Sequence, residues 1–107
     1  MSTNNSRLLL EINKTIKDIN REVINPVIDD LKCEDLKPVI IMVARARAAY
    51  LAEIFTLANS LGEGSPTTEK LKRLQHLRVS FEELSKGAQA LETAIERGYL
   101  DVEGHTD

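Results

Sequence analysis

The chain has 107 residues and a net charge of −3, with 42% hydrophobic, 29% charged and only 4% aromatic residues. That is the length of one soluble domain, whose core must come from Leu, Ile, Val and Ala. The acidic balance argues against a non-specific nucleic-acid binder, which needs a basic surface. The single Cys33 cannot close an internal disulfide.

Met1–Asn5 reads as a polar tail, and Met1–Arg7 carries no secretory signal pattern, so a cytoplasmic location is expected. Beyond it, Leu9, Ile12, Ile16, Ile19 and Val23 recur in alternating steps of three and four, the stripe of an amphipathic helix. Pro26 interrupts the pattern, yet Val27, Ile28 and Leu31 continue it. Two readings fit: a helix kinked near Asn25, which is favoured here, or a break with Asn25 capping a short second helix.

Cys33-Glu34-Asp35 forms the expected turn, with Asp35 as cap and Pro38 in the first turn of a second helix ending at Gly62. This helix is apolar nearly all round. Its polar arc is confined to Arg45, Glu53, Thr56, Asn59 and Ser60, so it belongs in a bundle centre or an interface. Val39–Leu61 is long enough to suggest a membrane span, but Arg45, Arg47 and Glu53 within it argue against one.

Gly62–Pro66 is a loop, with Ser65 as the expected cap of a third helix. Leu74, Leu77, Phe81, Leu84, Ala88, Leu91 and Ile95 form a heptad-like, coiled-coil seam along that helix. Gly98 ends it, and Tyr99–Asp107 reads as a polar tail. The expected fold is therefore all-α, an antiparallel bundle of three long helices in one domain spanning 1–107, with tails at 1–5 and 99–107. Because the second helix has more apolar surface than two neighbours cover, the bundle is expected to be completed as a homodimer. Ile41, Ala48, Ala52 and Phe55 are the expected interface.

Few residues invite chemistry. Arg47 falls inside the apolar face, where it can run its head to the rim, meet a carboxylate or hold an anion. With Tyr50, Glu53 and Arg78 it forms the ligand-binding candidate set. Lys70, Lys72, Arg73, His76 and Arg78 make the start of the third helix basic, while Asp29, Asp30, Glu34 and Asp35 cluster near the first turn. This layout suits basic-to-acidic antiparallel pairing of two copies, or else two solvated faces. His76 and His105 are read as surface residues. No Glu-x-x-His pair, zinc spacing or phosphate loop occurs, so no metal, cofactor or catalytic residue is assigned.

Glu83-Leu84-Ser85-Lys86-Gly87-Ala88 is similar, over these six residues, to the helix motif of histidine-containing phosphotransfer domains. Glu83 stands where that motif has its phosphate-accepting histidine, so the activity does not carry over. No family is recognised over the full length. The leading expectation is a non-enzymatic helical interaction or oligomerisation module with a protein partner and no membrane or nucleic-acid role. The alternative is a small all-α enzyme or anion binder with its site between helices or across a dimer.

Overall fold

The computed structural model describes residues 3–103. It is all-helical, with α1 at Thr3–Ile24, α2 at Cys33–Leu61 and α3 at Thr68–Glu96. Among the described residues no strand forms, and a single parallel bridge joins Lys32 to Glu103.

Local chemistry sets the helix ends. Pro26 has no N–H to continue the ladder, and α1 stops at Ile24 instead of kinking. Residues 25–30 form turns, with the Ile24 carbonyl accepting from both Val27 and Ile28. At the start of α2, the Asp35 carboxylate reaches back to accept the Lys32 N–H at 2.9 Å. That is the returning half of a capping box, so the helix begins two residues earlier than Asp35. Thr67, and not Ser65, caps α3: its hydroxyl accepts the Lys70 N–H at 3.2 Å.

Both glycine stops are where the sequence places them. Gly62 and Gly98 have φ of 57° and 78°, the left-handed conformation that closes helices. After α3 the closure is a Schellman motif: Tyr99 N–H donates to Ala94 and Gly98 N–H to Ile95.

The described residues fall into two compact units. One joins the chain up to Asp35 with the chain from Leu91 onward. Its centre is Leu100, 3% exposed, with Leu31 at 9%. The Glu103 N–H donates to the Leu31 carbonyl at 2.7 Å. Residues 99–103 are thus docked, contrary to the tail expected there, because Leu100 has an apolar site to fill. The rest of that expected tail, 104–107, lies outside the described residues, as do Met1 and Ser2 of the other one.

The second unit, Leu36–Ala90, packs α2 on α3. Leu57 is buried, and Val39, Val43, Ala46 and Tyr50 on the same side of α2 are half-buried. Of the expected α3 seam, Leu74, Leu77, Phe81, Leu84 and Ala88 are half-buried in this unit, and Leu91 and Ile95 are half-buried in the first. Glu53 meets Arg73 while Tyr50 meets Phe81, so contacts move toward the start of α2 as they move along α3.

Candidate functional site

At roughly 100° per residue, buried Leu57 and half-buried Val43, Ala46 and Tyr50 share one side of α2, and Ile41, Ala48, Ala52 and Phe55 fall on the opposite side. All four are exposed, Phe55 at 69%. The exposed arc is wider than the sequence reading had it. Ile40 (67%), Ala44 and Leu51 continue it, and Ile54 closes its far border. The overlooked signal is the absence of any polar residue at 40, 44, 51 and 55, steps of four and seven that share one helical face. Scattered exposed apolar residues are ordinary; here they run along one face of a single helix.

The proposed ligand-binding residues lie on the border of this unit's packed side. The Arg47 guanidinium carbon stands 5.1 Å from the centre of the Phe81 ring. Tyr50 stacks on the same ring, with centroids 6.3 Å apart and planes inclined by 24°. Arg47 therefore rests its cation on an aromatic face, a contact worth about 0.5–1 kcal/mol at an exposed site. That explains an arginine inside an apolar face. Glu53, only 17% exposed, forms an ion pair with Arg73 at 3.2 Å. Arg78 turns to Glu82 one helical turn on, with both carboxylate oxygens at 3.1 Å. The structure brings Arg47, Tyr50 and Phe81 together and assigns Glu53 and Arg78 to separate ion pairs. An anion would have to displace these partners.

The other unit holds a polar cluster that the sequence did not reveal. Arg21 on α1 donates to the Gly98 carbonyl at 2.9 Å and to the Asp101 carboxylate in a forked pair. The hydrogen bond from Arg21 holds the Asp101 carboxyl below its ordinary value. The same bond raises the Arg21 guanidinium further. Lys17 lies across Gly98: a Cβ added there would sit 3.0 Å from its Cε. Beside this cluster, Asp18, Arg21, Glu22, Asn25 and Pro26 line an open groove of about 380 Å³. A second groove, of about 420 Å³, is lined by Lys32, Cys33, Glu34 and Glu103, with Cys33 exposed.

Among the described residues, no group of three or more His, Cys, Asp or Glu side chains is placed to hold a metal ion. Among the same residues, no helix is long and apolar enough to cross a membrane. No family model, no curated protein and no solved structure matches the chain.

Proposed function

We propose that this chain is a non-enzymatic helical interaction module that self-associates through the outer face of α2. The supporting observation is that face itself. Ile41, Ala48, Ala52 and Phe55 lie opposite the α3-packed side and are exposed, together with Ile40, Ala44 and Leu51. A helix from a second copy laid on this strip would complete an antiparallel helical bundle as a homodimer. Small Ala48 and Ala52 let two backbones approach, and Phe55 supplies the large side chain that fills a partner groove. A reducing, cytoplasmic location accompanies this reading and suits the lone Cys33.

The test is Ala52→Glu. A carboxylate trapped without a partner in a buried interface costs about 3–5 kcal/mol, enough to lower association by more than a hundredfold. Ala52 is exposed in the single chain, so the helical circular dichroism should be unchanged. Light scattering should show a smaller mass than the wild type at equal concentration. An unchanged mass would refute the α2 interface.

A further inference from the structure

Residues 99–103 form a strap that leaves α3 at Gly98 and lies against the end of α1 and the turns after it, all within one compact unit. The polar side of α1 meets the strap. Arg21 binds Gly98 and Asp101, and Lys17 crosses Gly98, while Leu9, Ile12, Ile16, Ile19 and Val23 turn outward and are exposed.

The strap's contacts are those by which a site reads a short peptide. Leu100 is the single buried anchor, 3% exposed. The Arg21 fork takes the Asp101 carboxylate. The Asp101 N–H donates to the Asn25 side-chain carbonyl at 3.4 Å, and the Glu103 N–H to the Leu31 carbonyl at 2.7 Å. Main-chain donors two residues apart are the mark of an extended peptide laid along an edge. Every group that receives the strap stands on residues 21–31. Asp30, with φ 57°, takes a conformation uncommon outside glycine immediately before Leu31, whose carbonyl makes the last of these contacts.

The hold is shallow, and the space is larger than the strap. The Arg21 and Asp101 side chains are 41% and 63% exposed, so solvent screens their pair and Leu100 carries most of the contact. Open space adjoins the strap at both Asp101 and Glu103. The groove of about 380 Å³ shares Arg21 and Asn25, which hold Asp101, and the groove of about 420 Å³ includes Glu103 itself. A ligand longer than the strap has room at either place.

We infer that residues 21–31 form a peptide-docking site that the chain closes on itself with residues 99–103. In trans the site takes an extended segment of a partner protein in which leucine is followed directly by aspartate. A strap joined to α3 through one glycine acts at an effective concentration on the order of millimolar, so it masks the site until a partner segment displaces it. The α2 face plays no part in this contact, so each can fail without the other.

A fluorescein-labelled peptide with the sequence of residues 98–103 tests it by fluorescence polarisation against the full chain. A strap docked about nine times in ten leaves a tenth of the sites free, so releasing it should tighten binding about tenfold. The peptide should therefore bind the Leu100→Asp chain about tenfold more tightly than wild type. Adding Arg21→Glu to that chain, or Leu100→Ala to the peptide, should remove the binding. No binding to the Leu100→Asp chain with its helical circular dichroism intact, or equal binding to both chains, would overturn the inference. If Leu100→Asp loses its helices, the wild-type chain decides: excess unlabelled peptide should speed exchange of the Glu103 amide, and unchanged exchange would overturn the site. Mixing Arg21→Asp and Asp101→Arg chains restores both charge pairs only between copies. Recovery of Glu103 protection in that mixture would overturn the partner in favour of a second copy that exchanges straps.

Discussion

Leu100→Ala should be among the most damaging single substitutions in the chain. Leu100 is 3% exposed, and among the described residues of its unit the only other buried side chain is Leu31. Truncating a buried leucine removes its transfer free energy and leaves a cavity, with a cost of about 2–5 kcal/mol. The site here sits under a short segment in which Tyr99 and Val102 are half-buried and Asp101 is exposed, so partial collapse is open to it and the loss should fall near the lower bound, about 2–3 kcal/mol. Urea unfolding followed by circular dichroism reads this change as a lower midpoint at constant slope. Hydrogen exchange should locate it, with faster exchange of the Glu103 amide, which donates to the Leu31 carbonyl. A loss below about 0.5 kcal/mol, the range of ordinary surface changes, would refute the docking of residues 99–103.

Gly98→Ala should destabilise by about 1–2 kcal/mol, because alanine is strained at φ 78° and its Cβ would press on Lys17; thermal unfolding measures it. Ser85→Ala should be neutral or stabilising by up to about 1 kcal/mol in the same assay, since the Ser85 hydroxyl oxygen is buried without a hydrogen-bond partner and alanine is the better helix former. The Asp101 carboxyl is depressed below its ordinary 3.8, so the Arg21 pair contributes fully above that value and is lost as pH falls through the lowered one. Hydrogen exchange of residues 99–103 should therefore hold steady from neutral pH down to about 4 and lose protection only below it, and Asp101→Asn should abolish that dependence.

Periodicity made α1 and α3 legible, because the 3.6-residue repeat is written in Leu9 through Val23 and again in Leu74 through Ile95, while α2 was legible from its apolar run between Asp35 and Gly62. Gly62 and Gly98 were legible as stops, since a left-handed residue after a helix is nearly always glycine. Caps were less so: Ser65 and Thr67 both offer a hydroxyl, and only the backbone path past Pro66 decides between them. The partner of Arg47 was hidden because it depends on how α2 and α3 register, which brings Phe81 beneath the guanidinium. Most opaque was the outward turn of the α1 stripe. A helical period tells which residues share a side, not which side is covered. Here the covering is done by Gly98, Leu100 and Asp101, in a segment whose polar composition reads as a tail although Tyr99, Leu100 and Val102 are apolar. The α2 face was legible in kind, as an apolar helix with too little cover, but its extent through Ile40, Ala44 and Leu51 needed the position of α3.

The most direct test of self-association is the solution mass of the wild-type chain by light scattering over a wide range of protein concentration. A mass above the 12.0 kDa of one chain, rising with concentration and lowered by Ala52→Glu, is the predicted result. A mass that stays at 12.0 kDa up to the highest concentration reached would contradict it.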